Sequence, residues 1–485
     1  MNISWLSSFE WLILLAAHLL SWAAVIHALL HKRDPRSALG WSATALFLPG
    51  VGALLYLMLG IGRAESRAAE LMRTARLDVH GANAAQHGGV PVATPPGYVR
   101  DAILPRQFHH LSRLGNVLTG RPLSGGNAIT PLFNGDEAYP AMLEAINRAT
   151  ERVYLTTYIF NGGVTGEAFC AALRNAAKRG VDVRVLVDGI GGSVYSLSRP
   201  WRFLEQHGVK VARFLAPRLW PPSLSINLRN HRKVLICDGT GFTGGMNIAD
   251  YHRASSPDYS VQDVHFLCSG PIVAQLQTAF HLDWGFCTGD FIVPPTGFDE
   301  MCGDSLCRMV LDGPGSGRDP LHDLLCGVIS GATQHVRIMT PYFLPTHELM
   351  GSLRAAAQRG TKVTVVLPER NNLPFVHWAA LHLLPGLLEA GVRIFYQPPP
   401  FAHTKLLMVD GFYTQIGSAN LDPRSLRFNF ELNIETFDTS FTREMEQYFD
   451  TIRVRSREMT PQRLRRFSLP ARLRNAACWV FSPYL

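Results

Sequence analysis

One polar pattern occurs twice in this chain, and no other feature narrows the possible fold as far. Residues 230–238 read NHRKVLICD and residues 402–410 read AHTKLLMVD, so His-x-Lys-x4-Asp is built first from His231, Lys233 and Asp238, then from His403, Lys405 and Asp410. Each copy runs into four apolar residues closed by Asp-Gly, the mark of a short buried strand ending in a turn. Side chains alternate along a strand, so His231 and Lys233 are expected to share a face. Asp238 falls on the other parity, at the turn, where its role is to fix local geometry. A single copy is compatible with chance; a second copy on another buried strand is not.

The surrounding chain repeats too. ATERVYLTTYIF (149–160) matches ATQHVRIMTPYF (332–343), and LRNAAKRGVDVRVLV (173–187) matches LRAAAQRGTKVTVVL (353–367). LEQHGVKV (204–211) and LEAGVRI (388–394) follow, each ahead of its motif. Each half therefore reads strand, helix, strand, helix, strand, motif strand, which predicts a duplicated α/β fold with mostly parallel sheets. One His-Lys pair per half predicts a two-fold arrangement with both pairs in one cleft; two independent structural domains are the alternative.

Two lysines placed together repel unless an anion lies between them, and a phosphate is the anion such a pocket fits best. A neutral histidine attacks phosphorus and a charged one protonates a leaving oxygen, so one ring can serve as nucleophile and the other as acid. The lysines then neutralise charge on the non-bridging oxygens. No cofactor or metal is expected: the chain has no HExxH, no CxxC pair and no EF-hand loop. GGMN (244–247) and GSAN (417–420) follow the two motifs, so Asn247 and Asn420 are candidate phosphate ligands. Asp263 and Glu431, at comparable distances after the motifs, are the expected carboxylates that orient the rings.

These residues resemble the phospholipase D superfamily, and within it the bacterial cardiolipin synthases. The likeness rests on NHRK, GGMNIADYH, the block with Gly270, Pro271, Phe280, Asp283 and Trp284, TPYFLP, NLDPRS, the terminal FSPYL and the apolar N-terminal region. It implies that all six motif residues, Asp238 and Asp410 included, belong to the catalytic set. It further implies a phosphatidyl group passing from one phosphatidylglycerol to His231, with His403 as acid and then base, and on to a second phosphatidylglycerol to give cardiolipin and glycerol. Hydrolysis of a phosphodiester and a non-catalytic lipid scaffold are the competing readings. The chain departs from the family at ERNNLP, where Asn371 and Asn372 stand in place of a frequent acidic residue.

Residues 9–30 and 38–60 are each about as long as a bilayer core requires, which predicts a two-helix transmembrane hairpin over 1–62. A linker and lead-in (63–125), a first half (126–293), an inter-half linker (294–319), a second half (320–452) and a basic, aromatic C-terminal segment (453–485) follow. That last segment, with its arginines and Trp479, Phe481 and Tyr484, is expected to lie on an anionic leaflet. A net charge of +8 suits anionic lipid or nucleic acid, and the membrane segments argue for lipid and against nucleic acid. The two spans and the resemblance imply a multi-pass protein of the bacterial inner membrane, and eight cysteines without framework spacing point to a reducing compartment, hence to a cytoplasmic catalytic body. Oligomeric state is not readable from the sequence.

Overall fold

The computed structural model describes residues 8–32, 35–60, 104–196, 198–216, 228–291, 300–314 and 319–482. The chain falls into two compact units, Met1–Arg67 and Ala68–Leu485.

In the first unit a helix spans Ser8–His31, and of the described helices it alone is long and apolar enough to cross a membrane. It packs on a second helix, Pro35–Phe47, through small residues: Ala24, Ala28 and Ala45 are buried while Trp11, Leu12, Leu15, Leu19 and Trp22 face outward. The expected second span over 38–60 is not one helix. It stops at Phe47 and resumes at Val51, because Pro49 disfavours helical geometry in the residue before it and Gly50 takes φ 79°. A Cβ at Gly52 would lie 2.0 Å from the Thr44 carbonyl oxygen, so glycine there permits the close return.

The second unit is built on one large mixed sheet and a separate two-stranded one. Its first half contributes β1 (Ser124–Phe133), β2 (Arg152–Thr157), β3 (Asp182–Asp188), β4 (Lys210–Phe214), β5 (Arg229–Asn230), β6 (Val234–Cys237), β7 (Thr240–Gly244), β8 (Val261–Gln262) and β9 (Val264–Ser269). The second half contributes β10 (Ser305–Asp312), β11 (His335–Met339), β12 (Lys362–Pro368), β13 (Arg393–Gln397), β14 (Phe401–Ala402), β15 (Leu406–Val409), β16 (Tyr413–Gly417) and β17 (Asn429–Phe437), and β18 (Arg457–Met459) adds an edge. The main path runs β18-β13-β12-β11-β15-β16-β17-β10-β1-β9-β7-β6-β2-β3-β4. Leaving β18 aside, the path reads the same from both ends under exchange of the halves, with the antiparallel pair β1/β10 at the seam.

The repeat and the α/β class are therefore present, but the sheet is not mostly parallel. Only the βαβ core of each half, β2-β3-β4 and β11-β12-β13, pairs in parallel along the main path. The motif strands return as hairpins, β6/β7 and β15/β16, and so pair antiparallel. Alternation along β2 shows how the sheet is covered on both faces. Val153 and Leu155 enter a core with helices Asn134–Arg148 and Gly163–Lys178, while Tyr154 stacks on Phe280 of helix Ile272–Thr288. In the second half Val336 and Ile338 face one core and Arg337 turns to Glu446 of helix Thr439–Arg455.

The C-terminal segment is folded onto this unit. Arg453 pairs with Asp450 and Arg457 with Glu369, and Trp479 packs inward on His382 at 4.8 Å between centroids. Tyr484 and most of the 63–125 stretch lie outside the described residues, as does much of 294–319.

Candidate active site

Both motifs sit where a two-residue strand from one half pairs in parallel with the other half. β5 lies along β17, with Asn230 opposite Phe430, and β14 lies along β8, with Ala402 opposite Gln262. The chain then continues in the same sense on both sides: His231 N–H donates to the Phe430 carbonyl at 3.0 Å, and His403 N–H to the Gln262 carbonyl at 2.8 Å. The next residues along those partner strands are Glu431 and Asp263. The sequence left open which carboxylate holds which ring, and the halves exchange them. Glu431 receives His231 Nδ1 at 3.1 Å on both oxygens, and Asp263 Oδ2 receives His403 Nδ1 at 2.8 Å.

His231, Lys233, His403 and Lys405 precede strands β6 and β15 rather than lying within them. The segment stays extended, so each pair still projects together. Lys233 Nζ donates to the His231 carbonyl at 2.7 Å and Lys405 Nζ to the His403 carbonyl at 2.6 Å. Lys405 Nζ also reaches His403 Nε2 at 3.0 Å, whereas His231 Nε2 takes no hydrogen bond from the described residues. Lys233 instead lies 5.5 Å from the centroid of Tyr158, whose ring meets His231 edge-on at 5.2 Å.

Asp238 and Asp410, counted in the catalytic set by resemblance, stand apart from the rings. Asp238 accepts from the backbone N–H of Thr150, Glu151 and Arg152, and Asp410 from those of Thr333, Gln334 and His335. Each adopts a left-handed φ, 48° and 51°, at the turn after its motif strand and ties that turn to the start of the neighbouring strand. Burial would raise the Asp238 carboxyl, but its backbone donors outweigh that and hold it below the ordinary range. The parity reading, local geometry, describes both residues.

Asn247 and Asn420 are buried at the ends of β7 and β16. Asn247 Oδ1 accepts from Ile159 N–H, and Asn420 Nδ2 donates to Ser425 Oγ. The halves differ just before these amides. Ser418 Oγ donates to Glu431, which Asn429 Nδ2 also meets at 3.1 Å. In the matching place stands Gly245, where a Cβ would come within 2.5 Å of an Asp263 oxygen.

The first motif has a support that the second lacks. Arg232, fully buried between His231 and Lys233, ion-pairs with Asp283 at 2.5 Å and donates through Nε to the Glu431 carbonyl at 3.1 Å. Asn230 Nδ2 donates to Asp283 Oδ2, and the Asn230 N–H donates to Asp188, both at 2.8 Å. Thr404 and Ala402 fill the corresponding places in the second motif. Arg232 and Asp283 are in view in the sequence; that Arg232, held by Asp283, grips the carboxylate strand of the other half is not, because nothing in their spacing encodes a contact across the seam.

Burial governs the electrostatics. It draws Lys233 down to about 7 and Lys405 to about 8, against the pull of Glu431 and Asp263. Desolvation likewise lowers His403 to about 4 and lowers His231, with Glu431 opposing it at the latter. Both carboxylates stay below their ordinary values: burial alone would raise them, and the histidines and lysines more than offset it. Lys233 depresses His403 and Lys405 depresses Lys233, so the two motifs share one electrostatic site. The cleft thus holds two imidazoles, each pinned at Nδ1, and two lysines whose charged forms an anion between them would stabilise. The described residues contain no cluster of three or more metal-ligating side chains.

The family model described as "Cardiolipin synthase, PLD-like domain" matches residues 142–284 and 325–453, and "Phospholipase_D-nuclease N-terminal" matches 19–60. Cardiolipin synthase A of Pseudomonas putida is 31% identical over 451 residues, 92% of each chain. That of Pseudomonas aeruginosa is 32% identical over 461 residues, 93% of this chain and 91% of the relative. Among solved structures, phosphatidylserine synthase of Haemophilus influenzae superposes with TM-score 0.61 at 16% identity, covering 78% of this chain and all of that one, a likeness of fold.

Proposed function

This chain belongs to the cardiolipin synthases of the phospholipase D superfamily, and from that premise we propose how its cleft moves a phosphatidyl group from one phosphatidylglycerol to another. The protein is a membrane-associated phosphatidyltransferase acting on phospholipids. The observation that carries the mechanism is the crossed pairing: each ring held at Nδ1 by the other half's carboxylate presents only Nε2 to a substrate.

His231 Nε2, which takes no hydrogen bond from the described residues, attacks phosphorus while the bond to the headgroup glycerol oxygen breaks. His403 Nε2 gives its proton to that oxygen and glycerol leaves. In the second step His403 Nε2 takes the proton from a hydroxyl of the second phosphatidylglycerol, whose oxygen attacks phosphorus as the bond to His231 breaks. Lys233 and Lys405 carry the charge on the non-bridging oxygens through both steps. Binding of the phosphodiester draws Lys405 off His403 Nε2 and raises the pKa of that ring, so it can act as acid. Asn247 and Asn420, buried just after β7 and β16, are the amides assigned to the phosphate oxygens in this reading.

The near-complete burial of Lys233 and Lys405, 2% and 5% exposed, favours an alcohol acceptor over water. For the membrane, we infer that Ser8–His31 spans the inner membrane and that the following broken segment returns the chain. All eight cysteines are free, in keeping with a catalytic unit on the cytoplasmic side. Incubation of the purified enzyme with phosphatidylglycerol labelled in its headgroup tests the reading. Cardiolipin with one glycerol released per product is expected; phosphatidic acid would make the chain a hydrolase, and no product a scaffold.

A further inference from the structure

Helix Leu469–Val480 lies along helix Pro374–Glu389 in the second unit. Its inner face is polar and aromatic: Asn475 is buried, and Trp479 meets His382. The outer face carries Leu469, Leu473, Ala477 and Val480, spaced i, i+4, i+8 and i+11, followed by Phe481. The four large side chains among these are 61–66% exposed. A water-facing helix places its apolar stripe inward, and this one is reversed. Single exposed leucines call for no explanation, but a stripe at helical period does.

The apolar surface extends to the neighbouring helix. Leu373 and Phe375, at its start, are exposed, and Phe375 packs edge-on against Trp378 at 5.5 Å. The Arg474 guanidinium lies 4.1 Å from the same Trp378 ring, so both apolar sets flank one helix pair. Around them Arg370, Arg465, Arg466 and Arg472 are exposed, and their side chains form no ion pair or hydrogen bond with the described residues. The patch also adjoins the catalytic cleft. Next to Leu373, Asn372 Oδ1 accepts from Tyr342 Oη at 2.7 Å, the Tyr342 ring meets Phe401 at 6.2 Å, and Phe401 meets His403 at 5.9 Å.

We propose that this helix pair is the face by which the catalytic unit rests on an anionic lipid leaflet, with the leucine stripe in the acyl boundary and the arginines on lipid phosphates. The proposal rests on the phospholipid-substrate reading and adds where the cleft meets its substrate. Charge selects the occupant: a second copy of the chain would set the same unpaired arginines against each other, whereas an anionic leaflet neutralises them. Trp479, half-buried and turned to His382, takes no part; the aliphatic stripe does the inserting.

The full-length enzyme would be assayed on phosphatidylglycerol in phosphatidylcholine vesicles and in mixed detergent micelles, as wild type, as Leu469→Ser/Leu473→Ser and as Arg465→Gln/Arg472→Gln. Both variants should raise the apparent KM in vesicles about tenfold while leaving micelle kinetics within about twofold, and high salt should shrink only the arginine effect. Hydrogen exchange gives a readout independent of turnover: in nanodiscs, amides 469–480 should exchange more slowly with phosphatidylglycerol present than with phosphatidylcholine alone. Equal kinetic loss in both assemblies, or exchange that ignores lipid charge, would overturn the proposal. So would dimers of the wild type that the leucine variant dissolves. A wild type inactive in both assemblies yet protected in anionic nanodiscs would instead overturn the functional reading and leave the docking face standing.

Discussion

Glu431 and His231 are 200 positions apart in the chain, yet both oxygens of the carboxylate lie 3.1 Å from the imidazole Nδ1. Neither half contains a complete histidine–carboxylate pair. The parallel contacts β5/β17 and β14/β8 deliver each carboxylate to the other half's ring, so the duplication yields one site.

Replacing Glu431 with Gln keeps the shape but offers an amide to a ring that needs a carboxylate, which misorients the tautomer and destabilises the charged ring. A fall in kcat of about 10³-fold or more is expected, with little change in KM, and Asp263→Asn should behave alike at His403. Steady-state kinetics decide: either variant retaining more than about a tenth of wild-type kcat contradicts the orienting role.

Burial sets the alkaline limit. Lys233 near 7 and Lys405 near 8 lose their protons, and so their charge, as pH rises through those values. The profile of kcat/KM, which reports the free enzyme, should therefore decline above about pH 7–8. The profile of kcat should hold to higher pH, because a bound phosphodiester stabilises both ammonium groups. A kcat/KM flat to about pH 10, the ordinary lysine range, would contradict this picture.

Arg232 and Asp283, each 1% exposed, predict an asymmetric response to mutation. Asp283→Ala leaves a buried guanidinium unpaired and should cost about 3–5 kcal/mol, whereas Arg232→Met with Asp283→Leu should cost less. Denaturant unfolding in detergent measures both. The double variant should also lose activity, since the Glu431 carbonyl loses its Arg232 donor. A double variant no more stable than Asp283→Ala would show that the pair is not the dominant interaction there.

Much of this was legible in the sequence, and the failures have physical causes. The paired motifs and repeated βαβ segments named the duplication, and His231, Lys233, His403, Lys405, Asp263 and Glu431 do converge. Apolar runs cannot reveal strand direction, so the hairpin return of β6/β7 and β15/β16 was missed and the sheet was read as mostly parallel. Length and hydropathy suggested a second span over 38–60, and Leu48-Pro49-Gly50 within it set the break that the hydropathy average conceals. Parity along a strand places Asp238 at a turn, where the structure has it, while its place in the catalytic set rests on the resemblance. Which carboxylate serves which histidine depends on a contact across the two-fold relation, and no local pattern records it.

The most direct test is to find the covalent intermediate. Wild type, His231→Ala and His403→Asn would be mixed with phosphate-labelled phosphatidylglycerol, quenched at alkaline pH to preserve an acid-labile phosphorus–nitrogen bond, and mapped by mass spectrometry of peptides. A phosphatidyl adduct is expected on His231, slow to turn over in His403→Asn and absent from His231→Ala. An adduct on His403, or any acid-labile label on the His231→Ala enzyme, would contradict it.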